Sequence, residues 1–415
     1  MNYGFFENTL KTMGQIFEIL KLPPAKVERL SRPDKILDFQ LTVAMDDGSS
    51  REFSAWRVQY NNTLGPYKGG IRFHPDSSLD EVKALAALMT WKTSLMSLPY
   101  GGGKGAIKVD PRTLSQSELE RLSRAYVQAI WQDIGSQKDV PAPDVNTNSQ
   151  IMDWMIDEYS KLTGQKDLAV FTGKSLATGG AAGRDKATGW GGFVVLREFL
   201  KNRPDIVEKT VAIQGFGNVG SHLAKFLFDA GFKIVAVSDS QGALYEPNGI
   251  DINKILSVKD KAGIIDRDVC YSLDGQGKCQ IFTNDDLLFL PVDILVPAAL
   301  EDQINKENVS KIKAKVVLEM ANGPVTQEAD TVLKEKKIDV LPDILANGGG
   351  VAGSYFEWQQ NLANETWLEN DYLKKLEEKM IESFKAVEET KNRLAVDWRL
   401  AANARAIERV ANALS

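Results

Sequence analysis

Runs of β-forming residues at 37–45 and 53–60 flank Asp46-Asp47-Gly48, and this pattern predicts a β-hairpin. Ahead of it, Phe6, Leu10, Met13, Phe17 and Leu20 fall on one side of an amphipathic helix over 1–22. Helical periodicity returns at about 78–97, behind the start signal Asp76-Ser77-Ser78, with Val82, Leu85, Met89 and Met96 on its apolar stripe. A further helix is predicted at about 116–134. The Pro-rich stretch 139–144 reads as a loop. Gly, Ala, Thr and Ser crowd 166–192, which reads as a connector ending near Gly183-Arg184. Strand and helix patterns then alternate, the order that predicts a parallel sheet, and 371–414 is helical by period.

Within that alternation, Thr210-Val211-Ala212-Ile213 runs straight into Gly215-Phe216-Gly217-Asn218-Val219-Gly220. A helix is predicted over 221–230, then a strand over 233–238 that ends at Asp239. Alone, G-x-G-x-x-G is a weak signal; between strand and helix, with an acidic residue closing the next strand, it is the dinucleotide-binding fingerprint. Gly215 makes the tight turn, Gly217 lets a pyrophosphate approach the backbone, and Gly220 lets helix and strand pack closely. Asp239 would accept hydrogen bonds from the adenosine ribose and repel a 2′-phosphate. No Arg follows it closely, so NAD is favoured; the small Ser238 and Ser240 leave NADP possible.

Three lysines stand in settings that surface lysines do not need. Lys68 lies in Gly65-Pro66-Tyr67-Lys68-Gly69-Gly70-Ile71-Arg72-Phe73 and Lys104 in Gly101-Gly102-Gly103-Lys104-Gly105, where the glycines clear space beside both ammonium groups. Lys92 falls on the apolar stripe of the 78–97 helix, where an ammonium costs desolvation unless it meets an anion or loses its proton. Snorkelling would explain Lys92 alone. Three such lysines together predict a cationic pocket for a small, doubly negative molecule.

At 415 residues the chain exceeds one usual core, so two domains are expected. A formal net charge of −6 argues against a nucleic-acid partner. No apolar run approaches the roughly 20 residues of a membrane span, and no signal-peptide pattern opens the chain, so a cytoplasmic protein with no membrane partner is expected. Cys270 and Cys279 have neither C-x-x-C spacing nor a His cluster nearby, and read as separate thiols of a reducing compartment. With His74 and His222 the only histidines, no His-rich metal site is expected.

These motifs, with Gly183-Arg184 through Ala187-Thr188-Gly189, Ala321-Asn322-Gly323-Pro324 and Asn347-Gly348-Gly349-Gly350-Val351, resemble the glutamate dehydrogenase family of the Glu/Leu/Phe/Val dehydrogenase superfamily. The resemblance implies an α/β fold of two domains with the active site in the cleft between them. These are a substrate-binding and oligomerisation domain at 1–182, joined by a returning helix at about 385–415, and a Rossmann-type domain at 183–384. It implies reversible oxidative deamination of L-glutamate to 2-oxoglutarate and ammonium with hydride transfer to NAD or NADP, in a homohexamer and without a metal.

By the same resemblance, Lys104 and Asp144 form the acid/base pair; partial burial and neighbouring positive charge, supplied by Lys68 and Lys92, would lower the Lys104 pKa. Lys68 and Ser354 hold the substrate's side-chain carboxylate, and Lys92 holds the α-carboxylate. Met89, Ala142, Val351 and Asn347 border the substrate. Arg184, Thr188, Ala298 and Asn322 join Gly215 to Gly220, Asp239 and Ser240 around the cofactor. Leucine, phenylalanine or valine dehydrogenase activity is the near alternative, although those relatives carry an apolar residue where Lys68 stands. A His-dependent hydroxyacid dehydrogenase and a catalytically inactive dinucleotide-binding regulator are alternatives of other classes. Met320 and the glycine-rich 172–182 segment depart from the family's commonest pattern.

Overall fold

The predicted hairpin forms as β1 (Lys35–Ala44) and β2 (Ser50–Asn61), antiparallel, with Ala44 opposite Ser50. In the computed structural model, which describes residues 4–259, 264–270 and 279–414, these strands join β3 (Tyr67–Phe73), β4 (Gly102–Ile107) and β5 (Asp139–Pro143) in the order β1-β2-β4-β3-β5. The sheet belongs to a unit formed by 1–184, 351–372 and 403–415; a second unit comprises 185–350 and 373–402.

β5 corrects the reading of 139–144 as a loop. Its two prolines fit a strand because β5 is the edge of the sheet, where a missing N–H leaves no ladder bond unmade. The strand is anchored from within: Arg57 and Asp139, both fully buried, form a two-pronged ion pair, and Arg57 also donates to the Gly69 carbonyl at 3.1 Å.

One sheet face carries the core, with Leu41, Phe53, Ile71, Phe73 and Ile107 packed against Leu122, Tyr126, Ile151 and Met155 from the helices Gln116–Ile130 and Ser149–Thr163. The helix predicted near 78 spans Leu79–Leu95 and starts where Ser78 accepts from the Glu81 N–H. Its buried face is wider than the predicted stripe: Ala84, Ala86, Thr90 and Trp91 are buried, while Leu85 and Met89 are half-buried. Small residues let this helix approach the sheet, so size rather than hydrophobicity marks its inner side. The supposed connector is also structural, since Phe171, Thr172 and Lys174 are buried in the first unit.

The second sheet runs β12-β11-β10-β6-β7-β8-β9, built from β6 (Thr210–Gln214), β7 (Lys233–Asp239), β8 (Gly242–Tyr245), β9 (Gln280–Phe282), β10 (Ile294–Pro297), β11 (Val316–Leu318) and β12 (Asp339–Leu341). The predicted parallel arrangement holds from β12 to β7; β8 and β9 continue it antiparallel. The strand order reverses between β6 and β10, which opens a crevice at their carboxyl ends. The helical 371–414 region is two helices, Glu369–Leu394 and Trp398–Ala413. Cys270 and Cys279 are bonded to each other in a disulfide, contrary to the expectation of separate thiols: the spacing excluded a C-x-x-C motif but not a bridge across nine positions. Among the described residues no His/Cys/Asp/Glu cluster could hold a metal, and no helix is long and apolar enough to cross a membrane.

Arg399 ties the last helix to the second sheet. It donates to both oxygens of the fully buried Glu319, at 2.9 and 2.7 Å, and to Asp330 at 3.0 Å. Burial raises the Glu319 carboxyl to about 7 despite Arg399. Arg399→Ala is expected to cost about 2–3 kcal/mol, the penalty of leaving a buried charge without its partner. A carboxyl with a raised folded-state pKa stabilises below its unfolded value and loses that contribution as pH rises through about 7. The deficit in urea unfolding should therefore be larger at pH 8 than at pH 5; equal deficits would show that Glu319 does not titrate with folding.

Candidate active site

Side chains alternate across a strand, so Lys68, Gly70 and Arg72 of β3 share one face. Register carries that face to the neighbouring strands. Ile71 pairs with Gly105, which sets Lys104 level with Gly70, and Lys68 and Gly70 pair with Val140 and Ala142. Asp144 follows β5 with the same parity. The cluster around Ile71, Phe73 and Ile107 occupies the opposite face, and the Leu79–Leu95 helix packs beside the lysines on this one.

On that face the Lys104 ammonium lies 2.8 Å from the Asp144 carboxylate, and Arg72 Nε lies 3.0 Å from the same oxygen. Arg72 also pairs with Glu81 from the Leu79–Leu95 helix. Burial pushes Lys104 below the ordinary lysine value; Asp144 raises it, and Arg72 lowers it again. Burial lowers it as expected, but the positive charge acting on it is that of Arg72 rather than of Lys68 and Lys92. Asp144 is held at about 2: burial would raise it, and Lys104 and Arg72 more than reverse that.

Lys68 is buried and donates to two neutral acceptors, the Val140 carbonyl at 3.1 Å and Thr172 Oγ1 at 2.9 Å. Burial is the largest cause of its strongly lowered pKa, with Arg184 and Arg57 adding to it. Met89 packs against Gly69, and Lys92, three residues on in the last helical turn, is partly buried.

Ser354 and Val351 are buried one turn apart on the helix Gly349–Ala363, and Arg184 donates to Ser354 Oγ at 3.1 Å. The next turn carries Glu357, a fully buried carboxylate that accepts from Lys174 Nζ at 2.9 Å and the Gly173 N–H at 2.8 Å, with Arg184 Nε at 3.1 Å. The glycine-rich 172–182 segment, opaque in the sequence, thus wraps a buried charge and sends Thr172 to Lys68. Arg72, Thr172, Lys174 and Glu357 were missed as partners of the site. Arg72 sat inside the Gly65–Phe73 motif, and a charge three residues from Ser354 was the signal for Glu357.

In the second unit Gly215 and Gly220 make the turn and the close packing expected of them, and the backbone at Gly217 is open. Gly215 has φ +95° and lies against the Ala298-Ala299 backbone at the β6/β10 crevice. A Cβ at Gly220 would meet the Gly215 carbonyl at 1.9 Å, whereas one at Gly217 would meet nothing within 4 Å. That open, exposed backbone at the start of the helix Asn218–Asp229 fits a pyrophosphate. Phe216 is buried and the Asn218 amide donates to the Asp185 carbonyl at 2.9 Å, so these two offer backbone rather than side chain.

Val219 and Thr188 are partly buried, and Ser240 is exposed beside Asp239. The Asn347 amide donates to Asn322 Oδ1 at 3.0 Å, while Asn347 Oδ1 is buried without a hydrogen-bond partner, as an acceptor reserved for a ligand would be. Met320, bulky for its place, is accommodated over Gly192.

The family described as Glutamate/Leucine/Phenylalanine/Valine dehydrogenase matches residues 179–415, and its companion, the Glu/Leu/Phe/Val dehydrogenase dimerisation domain, matches 33–161. The cryptic catabolic NAD-specific glutamate dehydrogenase GudB of Bacillus subtilis is 46% identical over 98% of this chain and 94% of its own. An NADP-specific glutamate dehydrogenase of Saccharolobus shibatae is 45% identical over 99% of this chain and 96% of its own. The crystal structure of hetero-hexameric glutamate dehydrogenase from Thermus thermophilus superposes with a TM-score of 0.89 at 35% identity, covering 98% of this chain and 96% of that one. With both of its domains matched in order along nearly the whole sequence, the chain belongs to the Glutamate/Leucine/Phenylalanine/Valine dehydrogenase family.

Proposed function

We propose that this protein catalyses the reversible oxidative deamination of L-glutamate to 2-oxoglutarate and ammonium with NAD or NADP. The observation that carries the reading is the Lys104–Asp144 pair on the same sheet face as the buried Lys68 ammonium. An ammonium bonded only to neutral acceptors needs an anion, and the substrate's side-chain carboxylate supplies one, with Ser354 assisting. An apolar leucine or phenylalanine side chain would leave that charge unanswered. Lys92 takes the α-carboxylate, and Met89, Ala142 and Val351 border the methylenes.

Residues 215–220 would hold the dinucleotide, with Asn322, Asn347 and Thr188 serving its nicotinamide end, and the bound group would supply the redox chemistry as the hydride acceptor. Asp144 accepts a proton from the substrate nitrogen as the iminium forms. Lys104, in its neutral form, takes a proton from the water that attacks Cα. Lys104 passes that proton to solvent; Asp144 then returns its proton to nitrogen, the C–N bond breaks with loss of ammonia, and Lys104 takes the hydroxyl proton as the ketone forms. Because Lys104 and Asp144 share a hydrogen bond, their titration belongs to the pair.

The purified protein should reduce NAD or NADP with L-glutamate and not with L-leucine or L-phenylalanine, followed by absorbance of the reduced nicotinamide. Turnover with leucine in place of glutamate would overturn the substrate; dinucleotide binding without any turnover would favour the inactive regulator. The reading includes a homohexamer, checked by light scattering against a chain of 45.9 kDa, and a particle of monomeric mass would refute it.

Gly70 gives a graded test of positioning. A Cβ there would stand 2.6 Å from Asp144 Cβ, so Gly70→Ala must displace the carboxylate. A shift on that scale is expected to lower kcat about 10²-fold with NADH affinity unchanged in a fluorescence titration. Normal turnover in this variant would place Asp144 outside the chemistry.

A further inference from the structure

Asp239, the acidic residue of the fingerprint, is fully engaged. Its Oδ1 accepts from the Gln241 N–H at 2.8 Å and from Arg267, and its Oδ2 accepts from the Ile265 N–H at 2.7 Å and from Arg267 at 3.0 Å. An ionised carboxylate offers about four lone-pair positions, and all are in use. Asp239 therefore cannot accept from the ribose hydroxyls of a dinucleotide without releasing one of these donors, and its charge is already answered by a guanidinium.

Arg267 reaches Asp239 from 28 positions along the chain, which is why no basic neighbour was visible in the sequence. It is fixed in place by donating to the carbonyls of Ile265 at 2.9 Å and Gly242 at 3.1 Å. These bonds use its two terminal nitrogens, and the side chain keeps 19% of its exposure. Ser240, the next residue after Asp239, is exposed. A partner strand contact between Lys259 and Ile265 brings a second cation to the same loop: Lys259 donates to Ser221 Oγ at 2.9 Å and lies 5.5 Å from the Phe216 ring centroid. The ribose end of the fingerprint thus presents a neutralised acid, a partly exposed arginine and an exposed serine, with a lysine at the pyrophosphate end. Guanidinium and hydroxyl are the groups that recognise a phosphate monoester.

We propose that Arg267 is a specificity-determining residue that lets this site accept a 2′-phosphorylated dinucleotide alongside the unphosphorylated one. With NADP, Arg267 turns the two N–H groups it now gives Asp239 toward the phosphate, Ser240 adds its hydroxyl, and Asp239 keeps its backbone donors. With NAD, the Asp239–Arg267 pair stays intact and the ribose is held more loosely. This rests on the dinucleotide reading of the fold and deepens it.

The test measures NADH and NADPH affinity by fluorescence titration, without amino acid, for the wild type, Arg267→Gln, Arg267→Lys and the Asp239→Asn/Arg267→Gln double variant. In Arg267→Gln the NADPH-to-NADH affinity ratio should fall at least 10-fold, because the phosphate loses its partner and meets an unpaired carboxylate. Arg267→Lys should retain part of the ratio, and the double variant should recover part of it by removing the repulsion. NADPH affinity of the wild type should fall more steeply with salt than NADH affinity. A ratio that moves less than threefold in Arg267→Gln, with NADH still bound, would overturn the proposal while leaving the dinucleotide site standing. Binding of neither cofactor by the wild type would overturn both.

Discussion

Lys104→Ala is expected to lower kcat for glutamate deamination by about 10³–10⁴-fold, the scale of a lost general base in a positioned site, while NADH binding stays unchanged. The expectation rests on three features that act together. Lys104 is buried, it touches Asp144, and Arg72 reaches the same carboxylate oxygen. Burial and Arg72 lower the lysine's pKa, so that a neutral amine becomes available below the ordinary lysine range. Deamination in the wild type should therefore gain rate as pH rises through the lowered value, and this limb should be absent from the residual activity of Lys104→Ala.

Asp144→Asn separates the two members of the pair. Asp144 raises the Lys104 pKa, so its removal should move the limb to lower pH even as kcat falls. If Lys104→Ala kept turnover within tenfold of the wild type, the base would have to be sought elsewhere.

The face on which this chemistry is placed was only partly legible in the sequence. The fingerprint could be read because its glycines, strand and helix lie within 30 consecutive residues, and Gly215 and Gly220 make the turn and the close packing their spacing announced. Lys68 and Lys104 stood out because glycine neighbours are costly unless something must come close. What could not be read was pairing at a distance. Arg72 to Glu81 and Asp144, Lys174 to Glu357, and Arg267 to Asp239 join residues that no periodicity connects.

β5 was hidden for a different reason: proline lowers strand propensity everywhere except at an edge, and edges are set by the sheet rather than by the segment. Boundaries of the two units at 350/351, 372/373 and 402/403 fall inside the helices Gly349–Ala363, Glu369–Leu394 and Trp398–Ala413, where no turn residue marks them.

Lys68→Met should separate stability from function in opposite directions. The wild-type ammonium is buried among neutral acceptors, with no carboxylate within ion-pair distance among the described residues. Replacing such a charge with an apolar side chain of similar length is expected to stabilise the free protein by about 1–3 kcal/mol. The pH dependence identifies the cause. A lysine whose folded pKa lies well below 10.5 binds fewer protons in the folded state than in the unfolded one, so wild-type stability rises with pH across that interval. Lys68→Met lacks this rise, and the two unfolding curves should converge as pH approaches 10.5.

Glutamate reverses the order. Its carboxylate answers the ammonium and raises the Lys68 pKa, so glutamate should raise the wild-type Tm and leave the variant's unchanged. Losing a desolvated charge pair of this kind costs about 2–5 kcal/mol, a fall in kcat/KM for glutamate of about 30- to 5,000-fold. A variant less stable than the wild type at neutral pH would show that Lys68 is satisfied by the protein alone, and the argument that the site calls for an anionic side chain would fall with it.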